Sequence, residues 1–252
     1  MSLRSLRGFV PLAVVFALWQ IFGDPDSPTV PAPSAWWDAL KQIDASGALW
    51  PAIGSSMRLF LEGLVVATIL GVALGLALGA SRTLSRALGP LFEFVRATPA
   101  AAIVPAALIL FHATARTEIG IVVYGTIWPI LLNTAAARSA LAPLRLEMAD
   151  SLQLSGWDRL RKIVLPSLIP QIATGVRIAA PICLIVTLLV DFLMATGGIG
   201  YLLVQYQQMF QTPSAFALLA VIGVIGIAVN LIIGTAERLV LRRWPVGAPS
   251  SS

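Results

Sequence analysis

The stretch Gly63-Leu-Val-Val-Ala-Thr-Ile-Leu-Gly-Val-Ala-Leu-Gly-Leu-Ala-Leu-Gly-Ala80 carries no charged side chain. A bilayer core takes about 20 apolar residues in helical form, and this run comes close to that length by itself. Ala67, Gly71, Gly75 and Gly79 recur every fourth position, so they share one helix face. A stripe of small residues lets a second helix backbone approach closely. The stretch therefore reads as a membrane span packed against another helix, and the chain as an all-α membrane protein.

Five further segments have the same character. Ala97–Ala115 and Ile119–Ala137 are apolar runs of similar length, and Ala215–Ala236 is another, followed at once by Glu237 and Arg238. Ser167–Met194 is longer but contains Arg177 and Asp191; Gly8–Gly23 is uncharged but short. Composition agrees: 58% of residues are hydrophobic and 12% charged, whereas a soluble domain carries about 25% charged residues. Six spans are expected. The first could be a signal peptide behind Arg4 and Arg7, but Trp-Gln-Ile-Phe-Gly-Asp-Pro follows instead of an A-x-A site, which favours a retained anchor.

Orientation follows from Lys and Arg, which concentrate on the cytoplasmic side. With the N-terminus inside, the inner segments hold Arg4, Arg7, Arg82, Arg86, Arg96, Arg138, Arg145, Arg159, Arg161, Lys162, Arg177, Arg238, Arg242 and Arg243. The outer ones hold only Lys41, Arg58 and Arg116. Both termini are expected in the cytoplasm. The net charge of +5 is explained by topology, without nucleic acid. Cys183 is the single cysteine and His112 the single histidine, so no intrachain disulfide or cysteine–histidine zinc set is available.

The first outer loop, Asp24–Pro51, opens with Pro25, Pro28, Pro31 and Pro33 and is expected to be extended there. Ser34 is placed to cap a short helix with Trp36, Trp37 and Leu40 on one side, at headgroup depth. Arg58 and Glu62 are spaced for an i,i+4 pair at an outer helix end.

The longest inner segment, 138–166, is more distinctive. Pro143 is placed to open a short helix through Glu147, Met148, Ala149 and Asp150, and Ser155-Gly156 breaks it. Trp157, Leu160, Ile163 and Val164 recur at helical spacing in a second helix, opposite Arg159, Arg161 and Lys162. Pro166 is expected to end that helix and Pro170 to bend the entry into the next span. Such a unit suits a lever for a cytoplasmic motor; it equally suits a helix pair on anionic lipid.

Glu147-Met148-Ala149, with Ile163-x-Leu165-Pro166 at matching spacing, resembles the Glu-Ala-Ala loop of ABC importer permeases. The resemblance is to the nitrate, sulfonate and taurine branch and runs from about Ser55 to Trp244. Arg96-Ala-Thr-Pro99 with Pro105, Pro129-Ile-Leu-Leu-Asn133-Thr, Thr174-Gly175-x-Arg177-Ile178 and Gly197-Gly198-Ile-Gly200-Tyr201 follow in the family's order. Four positions depart from it. Met148 replaces the second alanine, and Gln153 the loop glycine. His112-Ala-Thr-Ala115 stands where a glycine-bearing turn is usual, and Asp191 replaces a glutamate.

The resemblance implies the type I permease fold: residues 1–50 an anchor and outer loop, 51–244 the permease domain and 245–252 a tail. It implies two permease copies, a homodimer in most of the branch, and two ATPase subunits that bind ATP and magnesium. An extracytoplasmic binding protein would deliver the solute. In this reading the protein sits in the bacterial inner membrane and binds no cofactor of its own. Glu147, Ala149, Asp150 and Gly156 would lie in or beside the ATPase contact, with Leu165 and Pro166 fixing the loop to the fifth span. The sequence contains no G-x-x-x-x-G-K-[ST], so an ATP-driven pump needs a separate ATPase chain.

Asp191 is the acid inside a span, and intramembrane charges point to function. Arg177, 14 residues earlier, is ~21 Å away along a helix, so each needs another partner. A structural or gating bond near the outer surface is expected for Asp191 and an inner-end anchor for Arg177. Arg96, Pro99 and Pro105 either line the path or kink the third span for packing. A self-contained secondary transporter or channel would need paired membrane acids or a filter-like segment. An intramembrane enzyme would need a nucleophile–base pair or metal ligands. Neither explains the loop. A small anion such as a sulfonate or nitrate is the expected solute, on the resemblance alone.

Overall fold

The computed structural model describes residues 9–244 apart from 26, 28, 143–146, 149 and 150. Arg4, Arg7, Pro28, Pro143, Arg145, Ala149, Asp150 and the 245–252 tail, all invoked above, lie outside the described residues. The regular elements described are helices: α1 (Phe9–Phe22), α2 (Pro33–Ala45), α3 (Leu49–Ala80), α4 (Arg82–Ala97), α5 (Ala100–Phe111) and α6 (Ala115–Ser139). They continue with α7 (Gly156–Arg159), a π-helical turn (Leu160–Val164), α8 (Leu165–Met194), α9 (Ile199–Gln208) and α10 (Thr212–Arg243).

Among the described residues, four helices are long and apolar enough to cross a membrane: Leu49–Ala80, Ala115–Ser139, the continuous Gly156–Met194 and Thr212–Arg243. A fifth is available if α4 and α5, bent by 89°, act as one span; α1 belongs to the shorter apolar helices. The expected span Ala97–Ala115 contracts to α5, 12 residues long, or ~18 Å of helix against a hydrocarbon core of about 30 Å. Proline causes the contraction. Thr98 precedes Pro99 and is extended (φ −77°, ψ 120°), because a residue before proline is pushed out of the helical region. His112 closes the other end at φ 60°, ψ 172°.

The chain divides into two compact units, Met1–Met57 with Asp191–Ile225, and Arg58–Val190 with Gly226–Ser252. In the first, Trp36 of α2 is buried against Trp19 of α1 (ring centroids 4.9 Å apart) and Phe216 of α10 (5.5 Å). Its Nε1 donates to the Pro31 carbonyl (3.1 Å). Ser34 does not cap α2. The helix starts at Pro33 behind Ala32, proline being suited to a first position whose N–H needs no partner. Ser34 is engaged elsewhere: its N–H donates to Gln20 Oε1 (2.9 Å), and Gln20 Nε2 donates to its hydroxyl (3.1 Å). Trp37 is 63% exposed, so it does not share the side occupied by Trp36 and Leu40.

In the second unit the small-residue stripe packs against α6. A methyl on Gly71 would stand 3.0 Å from the Ile130 side chain, and one on Gly75 2.7 Å from the Leu131 carbonyl and Thr134 Cβ. On Gly79 it would meet the Ala135 carbonyl and Arg138 Cβ, the latter at 2.6 Å. Ala67, between them, is fully buried. The other side of α6 meets α8: a methyl on Gly125 would lie 2.8 Å from Val186, and one on Gly175 3.1 Å from Ile130 Cα. Lipid tails are as apolar as leucine, so close backbone approach and dispersion hold these helices together more than water exclusion does.

Pro166 does not end the second inner helix. Gly156–Met194 runs unbroken for 39 residues. The π turn over Leu160–Val164, with Leu165 N–H bonded to the Leu160 carbonyl, widens the helix just before the proline. It accommodates an imino acid that supplies no N–H.

Candidate functional site

The described part of the 138–166 segment leads into α7 and α8 in the second unit. Among the described loop residues, Ser151 Oγ donates to the Glu147 carbonyl (3.0 Å) and Leu152 N–H to that of Met148 (3.1 Å). Glu147 is exposed. Gln153 then adopts φ 50°. Left-handed backbone is costly for any residue with a Cβ, which gives a reason for glycine at this position in related loops.

Ser155 caps the long helix. Its hydroxyl accepts from Asp158 N–H (3.1 Å) and donates to Asp158 Oδ2 (3.0 Å). Lys162 Nζ lies 2.9 Å from Asp158 Oδ1. Thirty-nine residues span ~58 Å, well beyond the bilayer core, so this charged first turn projects out of the membrane. The bonds from Lys162, then from Ser155, hold the Asp158 carboxyl below its ordinary range. Gly156 is exposed, and a Cβ there would meet nothing within 4 Å. Val164 is buried and Leu165 and Pro166 are half-buried, whereas Trp157 is 68% exposed, so the expected apolar side divides in two. Met148, Leu152, Ile163, Pro166, Gln171 and Trp244 help to line a cavity of about 700 Å³ between the loop and the helix.

Arg177 and Asp191 each have partners that sequence reasoning missed. Arg177 Nη1 pairs with Glu237 Oε2 of α10, and Thr174 Oγ1 donates to Glu237 Oε1 (3.2 Å). Glu237 is buried although it follows an apolar run. Its position 3 residues after Gly234 and one turn from the helix's basic end offered no signal. In the first unit, Asp191 is 1% exposed and accepts from Ser56 Oγ (2.5 Å), which itself accepts from Ile199 N–H (2.9 Å). A methyl on Gly198 would collide with the Asp191 carboxylate. This accounts for a glycine in the turn before α9.

Arg96 and Pro99 stand at the α4–α5 corner and Pro105 lies within α5; all three are exposed. Tyr124 of α6 secures the corner. Its hydroxyl donates to the Val95 carbonyl (2.5 Å) and lies 3.0 Å from that of Thr98. Arg58 and Glu62 form the expected pair at 2.8 Å.

The second unit holds helices apolar enough to cross a membrane, one of them continuous with a capped, exposed turn. The sequence profile of the binding-protein-dependent transport system inner membrane components matches residues 67–245. The chain belongs to that family. It is therefore a multi-pass permease subunit of an ABC importer in the inner membrane. It is 28% identical over 257 residues to the bicarbonate transport system permease protein of Synechococcus elongatus, covering 95% of this chain and 92% of the relative. A permease of Escherichia coli named for aliphatic-sulfonate transport is 30% identical over 246 residues, covering 96% and 93%. The riboflavin transport system permease protein of Chloroflexus aurantiacus is 28% identical over 255 residues, covering 95% and 93%. Permeases of this kind work with a separate ATPase and a substrate-binding protein.

Proposed function

We propose that residues 138–166 are the docking surface for the partner ATPase and that the helix Gly156–Met194 carries its motion into the membrane. The observation behind this reading is the continuity of that helix from the Ser155 cap to Met194. A displacement at Trp157 moves α8 as a rod. Met148, Leu152 and Trp157 are 56%, 66% and 68% exposed, and large apolar side chains on the water side of a membrane protein suit an interface. Glu147, Ala149, Asp150 and Gly156 make the contact; Leu165 and Pro166 join it to α8. The open space beside Gly156 supports a role for its glycine outside the chain's own packing.

The chain crosses the bilayer six times with both termini in the cytoplasm. The distribution of basic residues supports that count, with α1 and the segment around α5 as the two short crossings. Two copies pair as a homodimer around the path. Arg96, Pro99 and Pro105 line it, and the Asp191–Ser56 bond acts as a gate near its outer end. ATP and magnesium bind to the partner ATPase, and this chain catalyses no reaction itself. The solute is small and is brought by an extracytoplasmic binding protein. The bicarbonate and sulfonate relatives favour an anion; the riboflavin relative shows that the family's range is wider.

The test is co-expression with the genes that flank this one, extraction in mild detergent and quantitative mass spectrometry. An ATPase at one copy per permease, lost in Glu147→Arg and Trp157→Ala, is the expected result. A stable oligomer with no ATPase, or docking unchanged in both variants, overturns the reading.

A further inference from the structure

We propose that α4 lies in the inner surface of the bilayer, where Arg82, Ser85 and Arg86 hold the phosphate of an anionic phospholipid. Only the choice of leaflet rests on the topology proposed above.

The helix Arg-Thr-Leu-Ser-Arg-Ala-Leu-Gly-Pro-Leu-Phe-Glu-Phe-Val-Arg-Ala (82–97) divides into two faces. At 3.6 residues per turn, Leu84, Leu88, Leu91 and Val95 share one face, and Arg82, Arg86, Glu93 and Arg96 the other. None of its described residues is buried, and Leu91 and Phe94 are 54% and 74% exposed. Four charges keep such a helix out of the hydrocarbon core, and its apolar face makes it unsuited to bulk water. The headgroup–acyl boundary satisfies both faces. The 89° bend at Thr98–Pro99 gives it a direction different from α5, as an in-plane helix joined to a membrane-entering one requires.

A cavity of about 440 Å³ opens beside its first turns, lined by Arg82, Ser85 and Arg86 and by Leu78 of α3 and Leu132 and Ser139 of α6, among others. No acid lines it. Among the described residues, neither arginine has an ion-pair or hydrogen-bond partner, and the Ser85 hydroxyl has none either. Like charges four residues apart repel on a helix; an anion between them turns that repulsion into attraction. The amino end of α4, capped by Ser81 on Leu84 N–H (3.2 Å), adds its positive dipole end to the same side. Leu78 and Leu132 give the cavity an apolar wall that a free anion does not use and that the glycerol ester and first methylenes of a lipid do. Charge and apolar wall together select a phospholipid.

The test uses the full chain in phosphatidylcholine nanodiscs containing a minor share of phosphatidylglycerol, with retained lipid counted by native mass spectrometry. At about fivefold per basic residue near an anionic surface, Arg82→Gln with Arg86→Gln is expected to lower phosphatidylglycerol retention on the order of thirty-fold. The unfolding midpoint in pure phosphatidylcholine should not change. Ser85→Leu, which fills the cavity and keeps both charges, should also lower retention, and it decides the matter if the double variant does not fold. Arg242→Gln with Arg243→Gln should retain the lipid. Undiminished retention in the first two variants overturns the site, as does an equal loss in the Arg242/Arg243 pair or displacement of the lipid by inorganic phosphate. None of these outcomes bears on ATPase docking, so the two proposals fail separately.

Discussion

Ser56 Oγ donates to Asp191 Oδ2 at 2.5 Å, joining α3 to the C-terminal end of α8 across 135 positions of sequence. The same oxygen accepts the N–H of Ile199, the first residue of α9. One hydroxyl therefore ties the start of α3, the end of α8 and the start of α9 together. Ser56→Ala removes one bond to the buried Asp191 carboxylate and leaves the Ile199 N–H without its hydroxyl acceptor. At about 1–3 kcal/mol for each group that loses its partner, a loss of about 2–6 kcal/mol is expected, seen as a lower unfolding midpoint in detergent. Ser56→Thr keeps the hydroxyl and should lose less. Equal midpoints for Ser56→Ala and the parent would show that the bond contributes nothing.

Four described residues with side chains have the positive φ that favours glycine: His112, Gln153, Ala195 and Phe210, with Gln153 at φ 50° and His112 at φ 60°, ψ 172°. The His112 conformation is one that almost only glycine adopts, with a strain of about 1–3 kcal/mol for other residues. Gln153→Gly and His112→Gly should therefore each stabilise the fold, by about 1 kcal/mol after the entropy that glycine costs the folded chain. Thermal unfolding of the two variants checks this, and a fall in both midpoints would contradict the strain argument.

The stripe on α3 predicts a contrast between glycines. Gly75→Ala places a methyl 2.7 Å from the Leu131 carbonyl and Thr134 Cβ, a backbone and a β-carbon that cannot swing away. Overpacking of this kind costs about 1–3 kcal/mol. Gly223→Ala and Gly234→Ala on α10 meet open space and should lose nothing, because alanine is the better helix former. Chemical denaturation of the three variants side by side gives the comparison.

Glu237 is 6% exposed at its side chain and Arg177 46%. Glu237→Ala leaves Arg177 free to reach water, whereas Arg177→Ala strands a buried carboxylate. The arginine change should therefore cost more, by about 1–2 kcal/mol once solvent screening of the exposed partner is allowed for. A double-mutant cycle on unfolding measures the coupling; additive single effects would show that the pair does not act as a unit.

Hydropathy in the sequence marked the four long apolar helices, and the small-residue spacing on α3 marked a face that packs against another helix; hydropathy did not show that the expected span Ala97–Ala115 contracts to 12 residues. These properties are local: they depend on side chains within a turn or two of each other. The resemblance read from the loop and the motifs around it named the family, and the family profile bears the family out. Only the tertiary structure decided which partner meets each intramembrane charge, because Ser56 and Glu237 lie 135 and 60 positions from Asp191 and Arg177. A helical pattern says which face is turned inward and not which neighbour it meets. The two proline outcomes were decided there as well. Thr98–Pro99 breaks the chain into α4 and α5 under the Tyr124 hydroxyl, while Pro166 follows a π turn that absorbs it. The local cost of a proline is the same in both places. What differs is whether the surrounding backbone turns aside or widens to keep its hydrogen bonds.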